Sequence, residues 1–164
     1  MKQRLGAEEE ELLIVQGNLA NTYAKLDKPQ HALRIRREVY TMALKLYGEE
    51  REETITQALN YTSDLFDVGS FKEAKALLLR TLPVARRVLG NCHEITLQMR
   101  QNYAAVLYND PGATLDDLRE AVTTLEDLKR IARRVLGSDH PTVSTIKDDL
   151  RQARAMLFLR EVQV

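Results

Sequence analysis

The chain has 164 residues, enough for one domain with a sizeable core, and its 24 lysines and arginines balance its 24 aspartates and glutamates, which sets nucleic acid and anionic membrane aside as main partners. Its single cysteine, Cys92, excludes an internal disulfide and fits a reducing compartment. No apolar run approaches the ~20 residues of a membrane span, and the acidic N-terminus lacks an apolar signal core, so the cytoplasm is the expected location.

In chain order, apolar residues at helical spacing (Leu12, Val15, Leu19, Tyr23, Leu26) predict a first helix over 9–26. Asp27-Lys28-Pro29 ends it, and Pro29 suits the first turn of a second helix over 29–47. Gly48 and Gly90 read as left-handed caps that stop long helices, which gives further helices over 52–68 and 71–89 with a turn at Val68-Gly69-Ser70. Helices over 94–109 and 114–136 flank the turn at Asp110-Pro111-Gly112, and Pro141 opens the last one, over 141–160. With such short connections, neighbouring helices run antiparallel.

A fixed interval runs through these elements. Gly6, Gly48 and Gly90 lie 42 residues apart, and Gly137 follows after 47. Asn18, Asn60 and Asn102 repeat at 42, and Ala32, Ala74 and Ala121 each lie 16 residues before a glycine. Self-similarity at such a period marks a stacked array in which each hairpin buries its apolar face against the next. The repeats read as 9–50, 51–92 and 93–139, with a terminal helix at 141–160, all in one domain spanning 1–164. Five extra residues fall in Asn109 to Asp117, where Thr114 and Asp117 have capping-box-like spacing, so the insertion is read as a first-turn extension of the following helix. Leu5-Gly6 looks like the end of a repeat whose body is missing, which suggests a piece of a longer array and leaves Leu13, Val15 or Tyr23 uncovered. At the other end, Arg151 and Arg154 stand where earlier repeats carry Ala20, Thr62 or Ala104 and Tyr23, Leu65 or Leu107, as a solvent-facing cap would.

The segment Asn18-Leu19-Ala20-Asn21-Thr22-Tyr23, followed by Ala32, resembles the tetratricopeptide repeat. The endings Arg-Val-Leu-Gly-Asn-Cys-His at 87–93 and Arg-Val-Leu-Gly-Ser-Asp-His-Pro at 134–141 are similar to the 42-residue repeats of kinesin light chains and related scaffold proteins. The resemblance implies an all-α, right-handed α-α superhelix of about seven antiparallel helices. It also implies a concave groove lined by the first helix of each hairpin, and a non-catalytic adaptor that holds an extended segment of a protein partner there. Carried over by position, the groove set is Asn18, Asn21, Lys25, Thr56, Asn60, Ser63, Asp67, Gln98, Asn102, Asn109, Asp149 and Gln152. Asparagine offers both donors and an acceptor, which matches a peptide unit, so such a ladder can hold backbone without choosing sequence. A purely structural ladder bonding neighbouring helices is the competing reading. Phe66 and Tyr108 are candidates to line side-chain pockets. Lys25 is the only basic residue in the set, too few for a clamp on a C-terminal carboxylate.

The pairs Arg36-Arg37, Arg86-Arg87 and Arg133-Arg134 read as solvated faces of second helices. His31, His93 and His140 sit at helix boundaries in different repeats; no CxxC or HxxxH spacing, phosphate loop or nucleophile motif occurs, so neither enzyme chemistry, metal nor cofactor is expected. The alternative function is a structural segment that associates through its exposed ends, as a homo-oligomer or with other repeats.

Overall fold

The computed structural model describes residues 2–162, with side chains from residue 8 onward. They form α1 (Lys2–Lys25), α2 (Pro29–Tyr47), α3 (Glu52–Asp67), α4 (Phe71–Val88), α5 (Glu94–Asn109), α6 (Leu115–Leu136) and α7 (Pro141–Val162), with no strand among them. This is the all-α helical repeat that the periodicity predicts. One local reading fails: α1 runs without a break through Gly6, so Leu5-Gly6 does not end a helix.

Each odd-numbered helix packs on the even-numbered one after it, and each even-numbered helix packs on the next odd one. The recurring alanines explain how closely. Ala32, Ala74 and Ala121 are at most 1 % exposed, and small side chains there let the two helices of a hairpin approach. The hairpin turns also repeat. Asp27 takes the positive φ (56°) that Gly69 takes 42 residues later (74°), a conformation short polar residues tolerate better than bulky ones. Gly48 (φ 80°, ψ 174°) does stop its helix, but with extended ψ rather than as the left-handed cap expected; Gly137 (φ 89°, ψ 160°) ends α6 in the same region, which is essentially restricted to glycine.

The insertion lengthens α6. Thr114 Oγ1 accepts from the Asp117 amide and the Asp117 carboxylate accepts from the Thr114 amide, a complete capping box. Asp117 also accepts from Lys75 Nζ of α4 at 2.5 Å. That Lys75 hydrogen bond, aided by the Thr114 amide, holds its carboxyl down at about 2.

The core is divided. Leu13, Ala20, Ile35, Val39 and Ala43 form a small cluster within the first hairpin, and a large one runs from Tyr40 to Ala153. Arg36 lies at this junction. It is 3 % exposed, donating from Nε to Asp64 at 2.9 Å and from Nη2 to Asn21 Oδ1 at 2.7 Å, so the reading of it as a solvated cation is wrong. The spacing places it in register with Leu78 and Leu125, and Asp64 with Val106 and Ala153, all four fully packed. Arg37 is the exposed member of its pair, bonded to the Tyr61 hydroxyl and Glu73. Arg86, Arg87, Arg133 and Arg134 are exposed as expected.

Candidate functional site

α3, α5 and α7 make one continuous face, with α1 assigned to it by the repeat register alone. α3 packs against α5 and α5 against α7, whereas among the described residues no comparable packing joins α2 to α4 or α4 to α6. Elements that touch on one side and splay on the other curve toward the touching side, which puts the odd-numbered helices on the inside of the bend.

Helical spacing gives each of these helices a stripe on that face, at positions i, i+4, i+7 and i+11. On α1 the stripe is Ile14, Asn18, Asn21 and Lys25; on α3 it is Thr56, Asn60, Ser63 and Asp67; on α5, Gln98, Asn102, Ala105 and Asn109; on α7, Thr145, Asp149 and Gln152. Ile14, Ala105 and Thr145 escaped the sequence reading, although the 42-residue offsets from Thr56 and Ser63 and the 47-residue offset from Gln98 point straight to them. Ile14 is 60 % exposed and is the one large apolar side chain on that stripe of α1.

The predicted residues divide by what their side chains already hold. Asn18, Lys25, Asn60, Asp67 and Gln152 make no hydrogen bond within the described chain. Thr56 and Asn109 donate to carbonyls of their own helices, those of Glu52 and Ala105, both at 2.8 Å. Gln98 donates to Glu94 at 3.2 Å. The others tie helices together. Asn102 Nδ2 donates to Ser63 Oγ at 3.2 Å, across α5 and α3, while Ser63 donates to the Leu59 carbonyl. Asn21 receives Arg36. Asp149 accepts from Gln101 Nε2 at 2.6 Å and from the Tyr108 hydroxyl at 3.1 Å, joining α7 to α5. Tyr108 is therefore buried structure and not a pocket wall; burial first, then the charge of Asp149, pushes its hydroxyl up to about 12 and keeps it a donor. The amide oxygen and second N–H of half-buried Asn102 carry no hydrogen bond within the described chain, so the residue ties the stack and keeps capacity for a ligand.

Two clefts open between neighbouring helices on this face. The one between α3 and α5, about 180 Å³, is lined by Ser63, Phe66, Asp67, Asn102 and Ala105, which places Phe66 where a pocket wall was expected. The other lies at the N-terminal ends of α5 and α7. It measures about 420 Å³, with Leu97, Leu136 and Pro141 as apolar wall and Gln98, Gln101 and Thr145 as polar lining. That volume is in the range that takes up a bulky side chain or a short peptide stretch. On the splayed side, the clefts beside Tyr40 and Arg80 and beside Leu79 and Pro83 measure about 140 and 210 Å³, both smaller than the cleft between α5 and α7.

The histidines mark helix starts. Nδ1 of His93 accepts from the Ile95 amide at 3.4 Å, and Nδ1 of His140 accepts from the Thr142 amide at 3.3 Å. Among the described residues no cluster of metal-type ligands occurs, and no helix is long and apolar enough to cross a membrane.

The sequence pattern of the tetratricopeptide repeat family matches residues 12–52, 54–94 and 113–142, well over half of the chain. The first two matches each take in a hairpin, and the third covers α6. No curated protein matches the chain. Among solved structures, the nearly identical TPR-like repeats of a Podosopora anserina protein described as a kinesin light chain superpose with a TM-score of 0.78 at 22 % identity, covering 88 % of this chain and 66 % of that one. A point variant of those repeats gives 0.74 at 21 % identity, covering 91 % and 68 %. BtubC (BKLC) from P. vanneervenii gives 0.60 at 15 %, covering 90 % and 61 %. The chain thus spans about two thirds of the length of these structures, and at such identities the likeness shows the fold alone.

Proposed function

We infer function from family and geometry together: the chain belongs to the tetratricopeptide repeat family, and its face of odd-numbered helices is proposed as the seat of an extended segment of a protein partner. The chain acts, on this reading, as a non-catalytic interaction scaffold in the cytoplasm. The observation that carries the proposal is the row of amides at one repeat interval, with two clefts opening on the same face. Asn18, Asn60 and Asn102 each offer donor and acceptor capacity to a peptide backbone, and the clefts beside Asn102 and Gln98 offer places for its side chains. Among the predicted groove residues Lys25 is the one cation, so an internal stretch of the partner suits the face better than a chain end whose carboxylate needs several.

The test is selection of a displayed random-peptide library on the wild-type chain, followed by affinity measurement with the best peptide on wild type and on the Asn60→Leu/Asn102→Leu double variant. Asn60 has no internal bond to lose, and Asn102 loses one worth about 1 kcal/mol, so the fold should persist. A drop of tenfold or more in affinity at an unchanged helical signal supports the groove. Equal binding by the variant, or failure of the library to yield any binder, refutes it.

A further inference from the structure

One end of the stack carries the surface of a buried helix. Leu12, Val15, Leu19 and Leu26 of α1 and its end form a single stripe, and they are 45, 62, 43 and 61 % exposed. The repeat interval identifies what this stripe is. Its counterparts on α7 are Val143, Ile146 and Leu150, at most 3 % exposed beneath α6. On α5 they are Thr96, Met99 and Tyr103, buried under α4, where Thr96 donates to the Ala85 carbonyl. On α3, Thr54 and Tyr61 are covered by α2 in the same way. So α1 has the side chains of a covered face, as apolar as that of α7, with no described helix of this chain over it. The expectation for this end of the chain is corrected in detail: Val15 is open, Leu13 is buried against α2, and Tyr23 is half-buried, stacked on His31.

We propose that this face pairs with the same face of a second copy of the chain, the two α1 helices running antiparallel about a two-fold axis near Leu19. Charge selects this occupant. Glu11 and Lys25 are both exposed and lie on the same flank of the apolar stripe, fourteen residues apart. In an antiparallel pair like flanks meet, so Glu11 of each copy lies beside Lys25 of the other, and the two ion pairs form symmetrically. In a parallel pair unlike flanks meet, so Glu11 and Lys25 would lie on opposite sides of the seam from their counterparts and neither ion pair would form. Stacking head to tail is poorly matched as well. The far end of the molecule presents Ser144, Lys147, Arg151 and Arg154 at the positions where Leu13, Gln16, Ala20 and Tyr23 pack on the next helix, with Phe158 the one large apolar side chain on that stripe, so most of the apolar stripe of α1 would lie on charged and polar groups. The apolar seam runs about 21 Å along the helix. It is at the small end of specific interfaces, which sets the expected dissociation constant on the order of 10 μM.

Sedimentation velocity of the whole chain, from about 1 to about 300 μM, is the direct test. The expected result is a monomer that passes to a dimer and stops there. Leu19→Glu and Val15→Lys, both at exposed positions, should each abolish the dimer while the circular dichroism spectrum and thermal midpoint of the monomer stay unchanged. Glu11→Lys and Lys25→Glu should each weaken association about tenfold in low salt, and Glu11→Lys/Lys25→Glu together should restore it. A monomer at every concentration overturns the proposal. So does a double charge reversal that fails to restore association, which would place Glu11 and Lys25 away from each other, and so does growth beyond a dimer, which belongs to head-to-tail stacking.

Discussion

Replacing Arg36 by leucine and Asp64 by valine would write into the first junction what the repeat interval already has in the others. Leu78 with Val106, and Leu125 with Ala153, occupy the same positions at no more than 1 % exposure. The ion pair is nearly as enclosed, with side chains 4 and 8 % exposed, so both charges have given up most of their hydration for one 2.9 Å contact and the Asn21 bond. Removing one member leaves the other buried and uncompensated, at a cost of about 3–5 kcal/mol. For a chain of this size that is a fall of roughly 10 °C in thermal midpoint. Replacing both should leave stability unchanged or raise it by about 1–4 kcal/mol. The loss in the single variants should appear first in the hairpin of α1 and α2, whose small core cluster meets the large one across this pair. The pH dependence has a defined sign. Burial raises the Asp64 carboxyl above its ordinary value even with Arg36 beside it. A raised acid binds protons more readily folded than unfolded, so its cost is absent below the ordinary carboxylate range and grows as pH rises through the folded value. Arg36→Leu removes the opposing charge and raises that value further; the variant should therefore be less damaged at pH 5 than at pH 8. Denaturant titrations of the four proteins of the cycle at both pH values measure all of this. If each single variant costs under about 1 kcal/mol, or the double costs the sum of the singles, the pair does not do what its burial implies.

Two further outcomes follow from individual side chains. Gln57 Oε1 is buried without a hydrogen-bond partner, at the position held by Met99 and Ile146 in later repeats, so Gln57→Met should stabilise the chain by about 1 kcal/mol in a thermal melt. Asp117, held down at about 2 by Lys75 and by the α6 cap, contributes stability that is complete above the ordinary carboxylate value and lost as pH falls through about 2. Asp117→Asn should flatten the acid limb of the stability curve between those limits, and an unchanged limb would rule out this carboxylate as a contributor.

Much of the candidate site was legible because a repeat makes position equivalent to orientation. Once Asn18, Asn60 and Asn102 are seen at one interval, they share a face whatever else the chain does. Pairwise contacts resist the same logic. Nothing in the spacing says that Asn102 reaches Ser63, that Gln101 and Tyr108 both hold Asp149, or that Asn21 is taken by an arginine on the next helix, because those partners lie 39, 48, 41 and 15 residues away and meet only through packing.

The sequence by itself determined the number and order of the helices, all their limits but the start of α1 to within a few residues, and their interval, since these depend on local periodicity, on proline and glycine, and on caps such as Thr114 with Asp117. It also determined which residue types recur on which face. Only the tertiary structure decided which charges are surface and which are core. Arg36 and Arg37 are adjacent in the chain and identical in propensity, yet one is 3 % exposed and bridges three helices, and the other is solvated. Burial is a property of what packs above a position. For the same reason the apolar stripe of α1 and that of α7 read alike along the chain, and only the stack shows that α6 covers the second and no described helix covers the first.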